Sequence, residues 1–334
     1  MIDIDGSKYE GGGSIVRNSI ALSLITQKPF RITNIRKNRS KPGLKKQHLA
    51  GVKLAKLISD SKSTNTYLGS ETLEFYPGKI KKGKKISIDI ESAGSITLLL
   101  QNIFLPCLLS GEKFDLTIKG GTDVPHSPPM DYFKHVFLPH FKDICEYKLD
   151  VISRGYYPKG GGEINFKFKK KHEKTINISY SSKLIFTKIF LHASKDFEKE
   201  KMLESLIETF QVYLQDFNLR FYPGYTETKS TDYGFCIVPE YETGSKSGYG
   251  QVAGKIITDD LVKKACKKFI KEYSYGDEYL PDQMVNAIAF LGGEIEVPKE
   301  TLHLKSNIYV LEKFLGNKKI KYKNKKLSHA KQCD

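Results

Sequence analysis

Apolar and polar positions alternate at the start of the chain, Ile2 and Ile4 against Asp3 and Asp5, and predict a short strand. A mostly apolar run at 15–25 predicts a buried helix directly after it. Alternation at 30–35, then the helical spacing of Ala50, Leu54, Leu57 and Ile58, predict a second strand and a second helix. Strands are expected at 71–76 and 85–90, the latter with Ile86, Ile88 and Ile90 on one face. A helix over 96–109, kinked or ended near Pro106, precedes a strand carrying Phe114, Leu116 and Ile118. A helix at about 132–144 and two more strands follow, the second marked by Ile164, Phe166 and Phe168. Strand, small-residue loop and buried helix recur, which predicts an internally repeated α/β architecture.

The texture changes at about residue 181. A strand at 184–191, a charged helix at 197–217 and strands at 219–222 and 234–238 carry no comparable glycine loops. The expectation is a large domain, residues 1–180 and 274–334, interrupted by a smaller inserted α/β domain, residues 181–273. The large domain resumes with a helix at 278–291 and another bearing Ile308, Leu311, Phe314 and Leu315, with His303 ahead of it. The tail at 318–331 reads as an edge strand with a frayed end. The glycines at 244–250 lack the spacing of a nucleotide P-loop and read as a surface loop.

Between the first strand and helix lies Asp5-Gly6-Ser7-Lys8-Tyr9-Glu10-Gly11-Gly12-Gly13-Ser14. Three consecutive glycines give a core nothing to pack and allow another group to approach the main chain closely. A loop of this kind entering a helix N-terminus is a seat for an anion, often a phosphate. Glu10 fits such a seat only with a divalent cation between it and the phosphate; a plain flexible turn is the alternative. A second triple glycine, 160–162, follows Arg154-Gly155-Tyr156-Tyr157-Pro158-Lys159. Six cations in the eleven residues 36–46, broken by Pro42-Gly43, make a basic loop suited to a phosphate backbone. The net charge of +16 points the same way, to a polyanionic partner and to nucleic acid before a membrane. Five scattered cysteines form no C-x-x-C, so disulfides and a structural zinc are not expected and a reducing cytoplasm is. Neither a signal peptide nor an apolar run of membrane-spanning length is visible. Of the histidines, His48, His126, His135, His140 and His303 all remain candidates for chemistry on these grounds.

Taken together, Asp5-Gly6-Ser7, Glu10-Gly11-Gly12-Gly13, Arg17, Lys41-Pro42-Gly43-Leu44, Gln47-His48-Leu49, Ser92-Ala93-Gly94-Ser95, Gly120-Gly121-Thr122-Asp123, the 154–162 segment, Tyr279, Asp282-Gln283 and His303 resemble the RNA 3′-terminal phosphate cyclase family. The match is colinear over almost the whole chain and weakest between 181 and 273. The resemblance implies a large domain of three repeated βαβαββ-type units, similar to the C-terminal domain of a translation initiation factor and to enolpyruvyl transferases, plus the insert. It implies conversion of an RNA 3′-phosphate to a 2′,3′-cyclic phosphate with ATP and a divalent metal, magnesium or manganese. His303 matches the nucleophile that takes AMP before passing it to the RNA, and Glu10 the acidic residue at the nucleotide phosphates and metal. Arg17 would clamp a phosphate, with Gly11, Gly12 and Gly13 as the phosphate loop. Gln47, Pro128, Tyr132, Tyr279, Asp282 and Gln283 match positions lining the ATP pocket, either tyrosine being placed to stack on adenine. Arg36, Arg39, Lys41 and Lys45 are the expected RNA contacts, and a homodimer is left open. The sequence departs from the family pattern at Tyr9, usually glycine, and Ser14, usually glutamine. Two rivals are a non-catalytic RNA-binding relative, which would lack the histidine, and an enolpyruvyl-transferase-like enzyme, which would need neither histidine nor ATP.

Overall fold

The alternating segments pair into four-stranded sheets in the computed structural model, which describes residues 1–81, 85–180, 183–253, 259–316 and 319–330. The first unit runs β1 (Ile2–Asp5), α1 (Gly13–Thr26), β2 (Phe30–Thr33), α2 (Lys46–Ile58), β3 (Lys62–Thr64), β4 (Leu73–Tyr76). The second runs β5 (Lys85–Asp89), α3 (Ile96–Leu109), β6 (Phe114–Gly120), a helical stretch opened by α4 (Met130–Tyr132), β7 (Cys145–Ser153) and β8 (Gly162–Lys170). After β9 (Ile176–Ile178) come β10 (Leu184–Ser194), α5 (Met202–Tyr213), β11 (Leu219–Thr226), β12 (Tyr233–Tyr241), β13 (Tyr249–Val252) and α6 (Asp259–Glu272). Then α7 (Leu280–Leu291), β14 (Gly293–Glu296), α8 (Leu302–Leu315), β15 (Ile320–Lys323) and β16 (Lys326–His329) complete a third unit begun by β9.

The three units share one topology. Their sheets run β1-β2-β4-β3, β5-β6-β8-β7 and β9-β14-β16-β15. In each, the first two strands are parallel across a helical crossover and the remaining pairs are antiparallel. The segment from β10 to α6 therefore leaves the third unit between its first strand and its first helix. It forms its own sheet, β11-β10-β12-β13, with a separate apolar cluster of Ile189, Phe210, Phe235, Val262 and Phe269. β12 is buried almost end to end because both of its faces are packed: Phe235 and Ile237 on that cluster, Cys236 and Val238 on the main core.

Motif residues from the second unit tie the two cores together. Arg154 Nη1 donates to Asp123 Oδ2 at 2.9 Å and Nη2 to Asp131 Oδ2 at 2.8 Å. The buried Tyr156 hydroxyl and His192 Nδ1, from β10, lie 2.7 Å apart. Burial and the Arg154 charge push His192 down to about 4, so its ring is neutral at neutral pH.

Several expectations change. Residues 132–144 are not one α-helix: α4 passes into a π-helical turn at Phe133–Phe137 and a 3₁₀ turn at Leu138–Phe141, with Pro139 entering where an N–H is not required. The charged helix is shorter than expected, Met202–Tyr213. The glycines at 244–250 do not form a surface loop throughout, because Gly248 N donates to Asp277 at 3.1 Å and Gly250 packs on Pro129. The tail folds as a hairpin, β15 and β16, whose second strand pairs with β14 inside the sheet. Helix α6 is an addition to the expected elements, although Val262, Ala265, Cys266 and Phe269 keep helical spacing. Among the described residues no helix is long and apolar enough to cross a membrane.

Candidate functional site

The glycine loop is built by Asp5. Its Oδ1 accepts from Ser7 N at 3.0 Å, Ser7 Oγ at 2.7 Å and Asn34 Nδ2 at 3.2 Å, turning the chain off the end of β1. Gly11 then takes φ +57°, open to glycine without strain. Gly12 is the N-cap of α1 and has no side chain to accept from the first turn, so the helix presents uncapped N–H groups.

Two cationic or donor groups converge on that helix end. Arg17 lies one turn along, and among the described residues no hydrogen-bond or ion-pair partner meets its guanidinium; burial lowers its pKa to about 10. His48 is buried in the first turn of α2, and its Nδ1 accepts from Lys45 N at 2.9 Å. The neutral ring must then carry its proton on Nε2. That atom is buried without a partner. It points at Gly13: a methyl added there would lie 2.4 Å from His48 Nε2 and 3.1 Å from Arg17 Nη1. Burial, then Arg17, Arg36 and Lys45, push His48 down to about 3, so it donates without carrying charge. An imidazole N–H, a guanidinium and an uncapped helix terminus converge there, and the Glu10 carboxylate, packed over Gly12, is the acceptor beside them, so an anion joined to Glu10 by a cation completes the seat.

Helix α8 brings His303 to the same loop. The structure puts His303 inside its first turn and not ahead of it: Thr301 caps the helix, its Oγ1 accepting from Leu304 N at 2.9 Å. Thr301 Oγ1 in turn donates to Asp282 Oδ1 at 2.7 Å, so Asp282 holds the helix start. Burial raises Asp282 to about 7. Thr301→Ala is expected to cost about 1 kcal/mol of stability through the lost cap, read as a fall in the urea midpoint at unchanged slope. The helix is docked by Asp5 N on Tyr309 Oη at 3.1 Å and Glu10 N on Ser306 Oγ at 3.3 Å. An amide relay locks it further: Asn286 Nδ2 to Asn18 Oδ1 at 2.9 Å, Asn18 Nδ2 to Asn307 Oδ1 at 2.6 Å, Asn307 Nδ2 to Asp282 O at 2.6 Å. Half-exposed His303 faces Glu10, with Nδ1 3.8 Å from Oε2. Burial, then Arg17 and Arg39, lower its pKa to about 4. It is an uncharged imidazole at neutral pH.

Tyr9 occupies the left-handed region at φ +52°, the conformation that suits the glycine usual there. An edge-on contact with Tyr309, centroids 6.1 Å apart, holds the ring outside the loop. Ser14 Oγ is buried without a partner.

Of the remaining expected residues, Tyr279 is half-exposed at the start of α7, with Lys268 Nζ 4.8 Å from its ring centroid. Gln283 Nε2 donates to Tyr279 O at 3.2 Å, and Gln101 to Gln283 Oε1 at 2.8 Å. Tyr132 is buried with its hydroxyl on both Asp277 oxygens, at 2.9 and 3.0 Å, so its ring is no open platform for a base. Pro128 O accepts from Thr97 Oγ1 at 2.7 Å. Gln47 Oε1 accepts from Ser95 N at 3.4 Å on the wall of an open cleft lined by Arg36, Lys45, Lys46, His48 and Ser92.

The basic loop is less free than expected. Arg39 is ion-paired with Glu10. Arg36 donates to the carbonyls of Lys41 and Gly43 at 2.6 and 3.1 Å, and Lys45 Nζ to Pro42 O at 3.2 Å. These contacts fold the loop onto itself, while Lys41 stays exposed. Elsewhere His135 stacks on Phe190 and His140 contacts Lys246 O, both away from the loop. Among the described residues no three His, Cys, Asp or Glu gather as a metal cage. One carboxylate beside an anion seat fits a magnesium-type ion held mainly by phosphate oxygens and water, once Arg39 yields Glu10.

The sequence model of one family, RNA 3′-terminal phosphate cyclase, matches residues 8–320. The chain belongs to the RNA 3′-terminal phosphate cyclase family. Proteins named RNA 3′-terminal phosphate cyclase from Archaeoglobus fulgidus, Thermococcus kodakarensis and Pyrococcus abyssi are 34%, 36% and 36% identical to it. The alignments cover 98%, 95% and 95% of this chain and 99%, 93% and 94% of those proteins. The three βαβαββ units are the α/β fold of this cyclase family carried by the present chain.

Proposed function

We propose that the protein is an ATP-dependent RNA 3′-phosphate cyclase working through a covalent adenylate on His303. The observation that supports this most is a neutral imidazole beside Glu10, at the mouth of a seat that gathers Arg17, His48 Nε2–H and the uncapped terminus of α1. With Nδ1 turned to Glu10, Nε2 is free to attack the α-phosphorus of ATP. The N–P bond forms as the bond to pyrophosphate breaks, and Arg17, His48 Nε2–H and the α1 terminus receive the phosphate charge. Glu10 offsets the positive charge that the ring gains. A divalent cation on Glu10 would neutralise triphosphate charge when bound. An oxygen of the RNA 3′-phosphate next takes the AMP and returns the imidazole. The adjacent 2′-hydroxyl then attacks the 3′-phosphorus, AMP leaves, and the hydroxyl proton passes to solvent. Activation is needed because an unmodified phosphate has no leaving group better than oxide or hydroxide. The ring closure itself is intramolecular and gains from proximity. Tyr279 is the ring open to the adenine.

The test is incubation with α-labelled ATP and magnesium without RNA. Acid-labile, alkali-stable label on the protein, chased into a 3′-phosphorylated RNA that ends as a cyclic phosphate, is the expected result. Folded protein that takes no label would overturn the reading.

The insert contributes to the adenine side. Lys268 of α6 lies between Tyr279 and Tyr249, 4.8 and 5.0 Å from the ring centroids, and donates to Glu278 at 2.6 Å. Lys268→Ala is expected to raise the apparent KM for ATP in self-adenylation about fivefold, with a smaller change in kcat, for a cation–π contact of about 1 kcal/mol. Lys268→Arg should restore most of it.

A further inference from the structure

One face of the insert sheet is left partly uncovered. Alternation puts Phe186, Lys188 and Phe190 of β10 on the side opposite Ile189 and Leu191, which pack on the helices. Parallel register adds Arg220 opposite Lys188 and Tyr222 opposite Phe190, on edge strand β11. On β12 the same face, Cys236 and Val238, is covered by the main core. That cover stops at His135, whose ring stacks on Phe190 with centroids 3.9 Å apart and planes 7° apart. Beyond it Tyr222 stacks on Phe190 at 4.9 Å and 19°, and is 44% exposed. The Arg220 guanidinium lies 3.9 Å from the Phe186 centroid, is exposed, and has no carboxylate partner among the described residues. Lys188 is paired with Glu240, which Lys246 also contacts, so the shelf is cationic on balance.

Cross-strand aromatic pairs stabilise sheets by themselves. They do not require an arginine without a carboxylate partner placed over the neighbouring ring, nor an aromatic ladder that ends in solvent. A half-exposed tyrosine ring beside a solvent-exposed guanidinium is a composition that holds single-stranded nucleic acid, by base stacking and phosphate attraction. The strand also leads to the site. Beyond Tyr222, β11 ends at Thr226, and the side chain of Lys229 lies against Gly161, where an added methyl would meet its Cδ at 2.6 Å. Gly160 in turn approaches Ala93 and Ser92, and Ser92 lines the cleft beside Gln47 and His48. The second triple glycine, which the adenylation chemistry does not use, is the bridge between cleft and insert.

We propose that Phe186, Arg220 and Tyr222 form a stacking shelf for the single-stranded RNA that runs upstream of the 3′ end. This rests on the cyclase reading only in taking RNA as the ligand. Through the shelf, the insert holds nucleotides that lie too far from the reacting end to touch the cleft.

The test compares binding, by fluorescence anisotropy without ATP, of 3′-phosphorylated oligoribonucleotides of about 12 and about three nucleotides. The wild type should bind the longer more tightly. Arg220→Glu and Tyr222→Ala should each weaken the longer by about tenfold and leave the shorter unchanged. Both should keep the wild-type melting temperature and rate of self-adenylation with ATP alone. Arg220→Glu guards against misfolding, since that side chain is already in solvent. Longer RNA bound equally well by both variants, or equal losses for both lengths, would overturn the shelf. A protein whose shelf variants lose the longer RNA but which never takes label from ATP would overturn the catalytic reading alone.

Discussion

His303→Ala is expected to lose at least about 10⁴-fold in the rate of label transfer from ATP, the scale on which removing a covalent nucleophile acts. Stability should hardly change, because the ring is half-exposed and the helix start is held by Thr301 and Asp282 instead. The pH profile separates a nucleophile from a bystander. Burial and two arginines put the His303 pKa at about 4, so the reactive free base is nearly fully populated above about pH 5. Self-adenylation should therefore be flat from this group through neutrality and fall only as pH drops toward 4. A histidine at its ordinary value would already be half-protonated at about 6.5. The same sign governs stability. His48, His140 and His192 are likewise lowered, to about 3, 4 and 4, so the folded chain binds fewer protons than the unfolded one below about 6.5. Their contribution is present above that value and is lost progressively as pH falls from about 6.5 to about 3–4, so the acid limb needs a parallel unfolding measurement. Loss of labelling near pH 6.5 in protein that is still folded would mean that the Glu10 carboxylate, 3.8 Å from Nδ1, outweighs burial and the arginines.

What the sequence reveals and what it hides divide along physical lines. Two repeated units are visible as periodicity because each is contiguous. The third is concealed, since β9 and α7 are separated by the insert and β9 is only three residues long. Helix α1 announces itself by an apolar run because α3 and α8 flank it, leaving no solvent stripe. His303 is legible through its surrounding motif, but its place within the first turn of α8 depends on a cap formed with Asp282. The larger omission is His48. Its position beside Gln47 is plain, yet nothing in the letters says that Nδ1 takes Lys45 N and turns Nε2 onto Gly13. The Asn18–Asn286–Asn307 relay is hidden for the same reason: partners 268 and 289 positions apart meet only after folding. Charge counting, by contrast, overstates the basic loop. Arg36, Arg39 and Lys45 are cations in the sequence, but each has a donor group engaged by Glu10 or by a loop carbonyl.

Arg17 offers the sharpest separation of stability from function. A partly buried arginine with no anion beside it carries a desolvation cost that nothing around it offsets, which is why its pKa falls to about 10. Because the folded value lies below the ordinary one, the charged form is disfavoured by folding throughout the neutral range. Arg17→Ala should thus leave unfolding free energy unchanged or raise it by roughly 1–3 kcal/mol, reduced by the lost packing of the side-chain stem. The same variant should lose about 10²–10³-fold in self-adenylation, the size of effect when one preorganised charge donor is removed from an anion site. Arg17→Lys keeps a charge but not the planar fork, and should recover only part of the rate. Nucleotide linkage gives a second reading. A non-hydrolysable ATP analogue should raise the melting temperature of the wild type and much less that of Arg17→Ala, because the anion that stabilises the guanidinium is the one the variant no longer holds. A variant that is both less stable and fully active would mean that Arg17 serves the fold, and that the donors around Gly13 are not a phosphate seat.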